Sequence, residues 1–457
     1  MKYITVLLLV SLMFYCGCAS PLENSDETVK IRQLTFEQKK HYLGIFDAWS
    51  QDDKWLVYCN GPNETNDTIA KLNVETGEMV TLYKIENQQP YGPGCGTPSY
   101  CHTQNKVVFI HGPSHCSPQQ KYEFWRRSAG CIEEPELNKL VRIDARDVTY
   151  PFTAGASRGG THCHEWSNDG KLVAFTYNDM IMAQLEEKTG KTLNLRTIGV
   201  SADIGSVKVD KDAEQENFDG EYFTVLLVEV AADPKPGSDE VSKAYENCLV
   251  GLKGYKTETG KWQRAVAYKG KTVDKNGNEV PELFIVDIPD DITAVGDGPL
   301  EGTMGHMPYP PAGAKITRLT YTQDRKYPGL SSDPRFWLSS SYDGDKIFFL
   351  MKDYEGLNQV YYASIADKKI TQVTNHDFPV TSTVSVCSDG QRITYVADGS
   401  VFVTSLKDGS YVRLTPKDGL NPSIPIWSNN GDNIAFTKTV PDSDGEKYSQ
   451  IFVVSGF

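Results

Sequence analysis

The sequence of 457 residues is short of positive charge, with 46 Lys and Arg against 60 Asp and Glu and a net charge of −14. Phosphate recognition needs a positive surface, so this shortage argues against a nucleic-acid partner. The mean hydropathy of −0.42 argues against a polytopic membrane protein. The chain also lacks a Gly-x-Ser-x-Gly elbow, a phosphate-binding glycine loop, a dinucleotide fingerprint and a His-Glu-x-x-His motif. Serine hydrolase, NTPase and dehydrogenase functions therefore have no support.

The first residues read as an export signal. A short positive start, an apolar run and small residues predict a lipoprotein-type signal peptide over 1–17, with lipidation at Cys18. Cys16 is the alternative lipidation site, and plain secretion with cleavage near Ala19 is the alternative process. Residues 18–30 are polar and acidic, which predicts a flexible tether. The expected location is the periplasm or the cell surface, with the membrane reached only through a lipid anchor.

Eight cysteines follow Cys18, and none of them forms a CxxC pair, so metal binding by cysteine is disfavoured. Export permits disulfides. A bridge between Cys116 and Cys131 would staple a long hairpin loop. Eight cysteines allow 105 pairings, so the sequence leaves the connectivity open.

A repeated unit sets the predicted fold. An aromatic or small residue, a serine and a polar pair ending in Asp-Gly or similar precede an apolar strand. The seven units have these turns at 50–53, 104–105, 167–170, 219–220, 341–344, 388–390 and 428–431. Stacked sheets of this kind bury both faces only around an axis, so we predict an all-β, seven-bladed β-propeller over 31–457. Its long insertions fall near 111–135 and 180–320.

The repeat resembles that of TolB-like propellers. A closer resemblance, over nearly the whole mature chain, is to the YidR family of bacterial propellers. The segments that carry it are 109–113, 158–164, 175–179, 236–246, 280–287, 308–313 and 327–330. The resemblance implies the propeller fold and brings no settled activity with it.

His162 and His164 stand four and two residues before Trp166, on the predicted innermost strand of the third unit. Residues two apart in a regular strand share a face, so both rings are expected to point the same way, as a shared metal or anionic ligand requires. His-x-His before an Asp-Gly turn also resembles a metal-binding strand of propeller oligogalacturonate lyases. That resemblance implies one divalent metal (Mn, Zn or Ca) and β-elimination on uronate chains.

Further candidates surround this unit. Arg158, followed by two glycines, is suited to gripping a carboxylate, and Tyr122 is a candidate acid or base, so both join the two histidines as predicted catalytic residues. The predicted ligand-binding residues are His111, His115, Trp125, Arg126, Tyr177 and Asp179. Aromatic and arginine side chains in one loop suit sugar stacking and anion contact.

Two functions are open at this point. One is a propeller that binds a sugar-like or anionic ligand at its channel mouth, with metal-assisted lyase activity on uronate-containing glycans as the reaction that the lyase resemblance implies. The other is a non-catalytic, TolB-like interaction propeller in an envelope protein complex.

Overall fold

A computed structural model describes residues 29–61, 66–86, 91–113, 116–212 and 216–457. Its main elements are seven four-stranded antiparallel sheets, which confirms the predicted seven-bladed propeller. The predicted signal peptide, Cys18 and most of the predicted tether lie outside the described residues. In the described part of the chain, no helix is long and apolar enough to cross a membrane.

The strands follow one another blade by blade. β1 is Lys30–Gln33. Blade 1 contains β2 (His41–Leu43), β3 (Trp55–Asn60), β4 (Thr68–Asn73) and β5 (Met79–Lys84). Blade 2 contains β6 (Cys95–Tyr100), β7 (Lys106–His111), β8 (Ser128–Glu133) and β9 (Val141–Arg142), with a 3-10 turn over Phe124–Arg126. The short pair β10 (Ala145–Arg146) and β11 (Ala156–Ser157) comes next.

Blades 3 and 4 carry additional elements. Blade 3 contains β12 (Gly159–Trp166), β13 (Leu172–Asp179), helix α1 (Met180–Thr189), β14 (Thr197–Ala202) and β15 (Phe223–Leu226). Blade 4 contains β16 (Ala244–Leu249), the hairpin of β17 (Tyr255–Lys256) and β18 (Trp262–Gln263), then β19 (Ala265–Val273), β20 (Glu279–Asp287) and β21 (Ile316–Arg318).

The last three blades are more regular. Blade 5 contains β22 (Ser339–Ser340), β23 (Lys346–Lys352), β24 (Asn358–Ser364) and β25 (Ile370–Gln372). Blade 6 contains β26 (Ser385–Val386), β27 (Arg392–Ala397), β28 (Ser400–Ser405) and β29 (Tyr411–Arg413). Blade 7 contains β30 (Pro422–Trp427), β31 (Asn433–Pro441) and β32 (Lys447–Ser455), and β1 is its outermost strand.

The pairing of β1 with β32 closes the ring. Lys30 is paired with Ser455 and Gln33 with Phe452. Just beyond β1, the buried Thr35 hydroxyl donates to Gln450 Oε1 at 2.6 Å. The two ends of the described chain are therefore held in one blade.

The repeated Ser-x-Asp turn has a hydrogen-bonding cause. In blade 3, the Ser167 hydroxyl donates to Asp169 Oδ1 at 2.7 Å and accepts from the Leu172 backbone N–H at 2.9 Å. The same pair of bonds occurs in blades 1, 5 and 7. In blades 2 and 6 the serine position is taken by Cys101 and Cys387, which keep the backbone part of the turn. These two blades are consequently harder to see in the sequence.

The fourth repeat unit was misplaced by the sequence prediction. Asp219-Gly220 leads into the outermost strand of blade 3 rather than into a new blade. Blade 4 has no Ser-x-Asp turn, because Val250 occupies the serine position and the chain then leaves for the β17–β18 hairpin. The predicted number of seven blades is still correct, because the false unit at Asp219-Gly220 was counted in place of blade 4, whose turn lacks the repeat.

Four innermost strands share an irregularity. β6, β12, β16 and β30 each contain a bulge against the second strand of their blade. A residue with positive φ sits in each bulge, three positions before the end of the strand: Thr97, Cys163, Glu246 and Ile424. A bulge adds one residue to one strand and so reverses the side-chain alternation beyond it.

The eight described cysteines are all buried and free, so the Cys116–Cys131 bridge expected from the sequence is absent. Cys131 lies in β8 inside the sheet, packed with Cys101 and Trp166. Cys116 faces Arg126, whose guanidinium lies 3.9 Å from its sulfur. The cysteines act as small apolar core residues.

Candidate functional site

The antiparallel blades give the ring two different mouths. The first and third strands of every blade begin at one end of the channel, which we call the upper mouth. The first strands end, and the Ser-x-Asp turns lie, at the other end, the lower mouth. A side chain placed just before a first or third strand is therefore at the upper mouth.

Four basic residues occupy such positions. Arg127 immediately precedes β8, Arg196 precedes β14, and Lys243 precedes β16. Arg335 lies four residues before β22. They come from blades 2 to 5. Burial is the largest cause of the lowered pKa of Arg127, Arg196 and Lys243, and the positive charge of Arg335 lowers the pKa of all three further. We call these four residues the cation cluster.

Aromatic side chains cover part of this cluster. The Arg127 guanidinium lies 5.4 Å from the Tyr122 ring and 4.9 Å from the Phe124 ring. Arg196 lies 5.7 Å from Phe124, whose side chain is 52% exposed. Arg335 stacks on Trp337 at 4.6 Å. The loop over 122–127 can lie close against blade 3 because Gly160 has no side chain. A Cβ at this position would collide with the Phe124 carbonyl.

Few acids balance the cluster. In the part of the chain that the structure describes, Arg127, Arg196 and Lys243 form no ion pair. Arg127 is only 6% exposed, and its Nε is buried without a hydrogen-bond acceptor. Burial lowers the pKa of Arg127, which shows how poorly its charge is solvated. An anion at this mouth would supply the missing acceptor.

One carboxylate does reach the cluster. Glu246, the bulge residue of β16, accepts from Lys269 Nζ at 2.7 Å and from Arg335 Nε at 3.1 Å. Lys269 is fully buried and also donates to the carbonyls of Ser331 and Phe336. Burial lowers the pKa of Lys269 to about 8. Glu246 is therefore committed to two cations of the protein.

His162 lies in the cluster. Burial, followed by the charges of Arg127 and Arg196, holds its pKa well below the ordinary value. The Thr176 hydroxyl donates to the His162 carbonyl, so its oxygen accepts from Nδ1–H of the ring at 3.2 Å. That leaves the lone pair on Nε2, which lies 3.5 Å from Cys163 Sγ. The ring is a neutral imidazole whose Nε2 faces the protonated thiol of Cys163.

His164 does not share this face, so the prediction that both rings point the same way is wrong. Its Nε2 bonds the hydroxyl of Thr161 at 3.0 Å, and Thr161 and His162 are adjacent in a regular part of β12, on opposite faces of the sheet. The bulge at Cys163 places His164 on the side of Thr161. His164 is fully buried, which lowers its pKa to about 3.

The residues present do not fit a metal ion shared by the two histidines. A site held by both rings needs them on one side of the sheet, at one point. Both oxygens of Glu246 are engaged by cations. Burial raises the pKa of the Cys163 thiol to about 12, so it is not a thiolate. Among the described residues, no three His, Cys, Asp or Glu side chains come together to hold a metal.

Arg158 is not available to a ligand, contrary to the sequence prediction. Its Nε donates to Asp179 Oδ2 at 2.8 Å, and its other nitrogens donate to the carbonyls of Thr303 and His306. Arg158 and Asp179 are 1% and 0% exposed. The Tyr177 hydroxyl also donates to Asp179, which caps α1. Arg158, Tyr177 and Asp179 form a buried structural network, because their polar groups bond one another and the neighbouring carbonyls.

Two other predicted ligand-binding residues are also structural. His111 is buried, donates from Nδ1 to the Gly112 carbonyl and bonds the Tyr83 hydroxyl at 2.9 Å; burial lowers its pKa to about 3. Arg126 is buried and pairs with Glu216 at 2.8 Å.

The structure says less about the remaining members of this loop. Trp125 is half-buried in the 3-10 turn, and its carbonyl accepts from Arg146. His115 lies outside the described residues.

The structure thus brings His162 and Tyr122 together with a cation cluster that sequence reasoning missed. Arg127 stood next to a chosen arginine, but Arg196, Lys243 and Arg335 are separated from it by 69 or more positions in the chain. The sequence feature that these four residues share is a basic residue shortly before a first or third strand. An alignment of the repeats on the starts of these strands, rather than on the turns at the opposite end, would have placed the four residues together.

The lower mouth holds a cavity of about 140 Å³. His102 pairs with Asp47 at 3.0 Å across blades 2 and 1, and the Asp47 charge raises the pKa of His102 to about 9. Glu165 also lines the cavity and accepts from the Leu249 N–H at 2.8 Å. Burial raises the pKa of Glu165 to about 8. Phe46 lines the same cavity.

We expect Glu165→Gln to stabilise the protein at alkaline but not at acid pH. The raised pKa means that folded Glu165 keeps its proton between about pH 4.5 and 8 while the unfolded chain loses it, so this residue removes stability as pH rises through that window. Glutamine keeps the acceptor for Leu249. The expected gain is about 2 kcal/mol at pH 8.5 and near zero at pH 4.5.

Thermal unfolding at both pH values checks this expectation, with the exposed Glu258→Gln as the matched control. An equal shift at the two pH values would show that Glu165 is ionised in the folded protein.

The His102–Asp47 pair also makes the folded protein less stable as pH rises. Its stabilisation is complete below about pH 6.5 and is lost as pH rises through about 9.

Fold and site together define a seven-bladed propeller with a cationic channel mouth. Among solved structures the chain is similar to an oligogalacturonate lyase in complex with manganese, with a TM-score of 0.55, 9% identity and 96% of each chain covered. It is also similar to an oligogalacturonate lyase from Vibrio parahaemolyticus, with a TM-score of 0.52, 11% identity, and 95% of this chain and 96% of that one covered. At these identities the likeness shows the fold.

Sequence comparison gives the family. Residues 92–217 match the protein family of unknown function DUF3748. The chain is 34% identical over 426 residues to the uncharacterized protein YidR of Escherichia coli strain K12, covering 92% of this chain and 97% of that protein. The chain belongs to the YidR family, as its sequence segments indicated.

Proposed function

We propose that this propeller binds acidic carbohydrate of the uronate class at the upper mouth and cleaves it by β-elimination. The observation that carries the proposal is the cation cluster, with a buried Arg127 that has no acceptor for its Nε. The similarity in fold to two oligogalacturonate lyases supports the choice of a uronate over other anions.

Recognition combines charge with stacking. A uronate presents a planar carboxylate that the guanidinium groups of Arg127 and Arg196 are shaped to bind through paired N–H bonds. The exposed ring of Phe124 and the half-buried Trp337 offer apolar faces to the sugar ring. Each poorly solvated cation that pairs with the ligand carboxylate gains a counter-charge, which offsets the cost of its burial.

In this proposal His162 is the base of the elimination step and Tyr122 is its acid. His162 Nε2 takes the proton from C5 beside the carboxylate, a C4=C5 double bond forms, and the bond from C4 to the glycosidic oxygen breaks. The Tyr122 hydroxyl, whose pKa burial raises, gives its proton to that oxygen. The carboxylate of the bound ligand offsets the charges of Arg127 and Arg196, and so raises the basicity of His162 when substrate is present.

Calorimetric titration with trigalacturonate tests the binding, and ultraviolet absorbance of the unsaturated product tests the cleavage. Arg127→Met is expected to weaken binding by about 30-fold or more, because it removes a charged hydrogen-bonding partner. Arg264→Met is the matched control, since Arg264 is an exposed arginine at the lower mouth. His162→Gln is expected to keep binding and to lose cleavage.

The outcomes separate the alternatives. No binding of trigalacturonate by the wild type would reject the proposal. Binding without any absorbance change would reject the lyase and leave a uronate-binding propeller. A loss of binding in Arg264→Met equal to that in Arg127→Met would show that the upper mouth is not the site.

We further propose that the site works in the cell envelope, held there by a lipid on Cys18. The support is the sequence pattern of 1–17. Cys18→Ala is expected to release the protein from the membrane fraction of cells that express the full chain, whereas Cys16→Ala leaves it there. Fractionation and immunoblotting give the readout, and membrane association of Cys18→Ala would contradict the anchor.

A further inference from the structure

The carboxylate of a ligand at the upper mouth could be neutralised either by a metal ion or by cationic side chains. One of the similar solved lyases is in complex with manganese. A divalent metal is held by lone pairs of imidazole, carboxylate or thiolate groups converging on one point. In the part of the chain that the structure describes, the groups of that kind that interact with more than one cation of the cluster are His162, Cys163 and Glu246. His164 is on the other face of blade 3.

The electrostatics of the mouth oppose a second cation there. Arg127, Arg196 and Arg335 act electrostatically on His162, and Lys243 interacts with Arg196 and Arg335. Buried Lys269, which pairs with Glu246, is a fifth cation of this mouth. Glu246, the acid that forms ion pairs with these cations in the described part of the chain, already pairs with two of the five. A divalent ion entering this field would be repelled, while an anion would be attracted.

The same residues make a built anion site. Arg127 is more than nine-tenths buried, and its unpaired Nε adjoins the rings of Tyr122 and Phe124. Arg196 is fixed by its Nε bond to Asn178 at 3.0 Å, which leaves its terminal nitrogens for a ligand. Asn178 and Thr176 lie on the same strand, β13, so the guanidinium and His162 are positioned by one element.

We propose that the guanidinium groups of Arg127 and Arg196 take the place of a metal ion in this protein, so that it binds uronate without any divalent cation. This inference rests on the proposed function. It assigns the neutralisation of the ligand carboxylate to side chains that the protein always carries. Binding is then expected to be indifferent to chelators. It is expected to weaken with salt, because salt screens the long-range attraction between an anionic ligand and the cationic mouth.

The test is calorimetric titration of the full chain with trigalacturonate after dialysis against EDTA, with the metal content measured by mass spectrometry. The dissociation constant is expected to change less than twofold in EDTA or on addition of manganese or calcium. Arg196→Met in EDTA is expected to lose at least tenfold in affinity. Arg335→Met is a second variant, and we expect it to fold because the Arg335 side chain is half exposed. Its affinity for trigalacturonate is expected to fall several-fold.

Each result decides the matter. Loss of binding by tenfold or more in EDTA, restored by manganese, would overturn the metal-free site and leave the proposed uronate binding standing. Unchanged affinity in the arginine variants, with their thermal stability retained, would also overturn it. No binding in any metal condition would reject the proposed function itself, and this inference with it.

Discussion

Replacing Arg158 with methionine is expected to destabilise the folded protein by about 3 to 5 kcal/mol, because it leaves a buried carboxylate without its counter-charge. Asp179 is fully buried and would keep only the Tyr177 hydroxyl and the Met182 N–H as partners. The substitution also frees the carbonyls of Thr303 and His306, which Arg158 holds from the neighbouring blade. Thermal and urea unfolding give the measurement.

The double variant Arg158→Met/Asp179→Asn is the control for this prediction. Asparagine can still accept from the Met182 N–H at the start of α1 while it removes the buried charge, so a large part of the lost stability should return. If Arg158→Met keeps its stability and instead loses ligand affinity, then Arg158 is a binding residue, as the sequence first indicated.

Glu246→Gln is expected to move stability and affinity in opposite directions. It removes the counter-charge of the buried Lys269, which costs about 3 kcal/mol at neutral pH. The pKa of Lys269, already lowered to about 8, falls further, so this lysine loses its proton more readily. Arg335 is freed at the same time, and affinity for trigalacturonate is expected to rise about three- to tenfold. Unfolding and titration of one preparation measure both effects.

Glu282→Gln is the matched control, since Glu282 is a fully buried acid of the same blade that pairs with Arg318 away from the cluster. It should lower stability and leave the affinity unchanged. Weaker binding in Glu246→Gln, with Glu282→Gln unaffected, would mean that Glu246 contacts the ligand itself or holds something that does.

The propeller was predictable from the sequence because each turn is encoded locally. A serine that bonds both the aspartate two residues on and the N–H five residues on needs no distant partner, so its pattern is visible in the letters. Blade 4 escaped because its equivalent of Ser167 is Val250, followed by an inserted hairpin. Nothing local marks that turn, and its identity depends on the pairing of β16 with β19.

The site was less accessible for two physical reasons. The His-x-His argument assumed a regular strand, and the bulge at Cys163 reversed the alternation between the two rings. The arginines chosen from the sequence, Arg126 and Arg158, form internal ion pairs, whereas Arg127 has no ion pair with any described residue. Which of two adjacent arginines finds an acid depends on contacts 90 positions away, as with Glu216.

The pairing of β1 with β32 in blade 7 determines when the ring can close during synthesis of the chain. β1 is among the first described segments to be made, yet its partner β32 lies more than 400 residues later. Until β32 exists, the inner strands can pair within their own blades, but the circle stays open and its two end blades expose apolar surface. We therefore expect the ring of the newly made chain to stay open, without the hydrogen bond between Thr35 and Gln450, until β32 has been made.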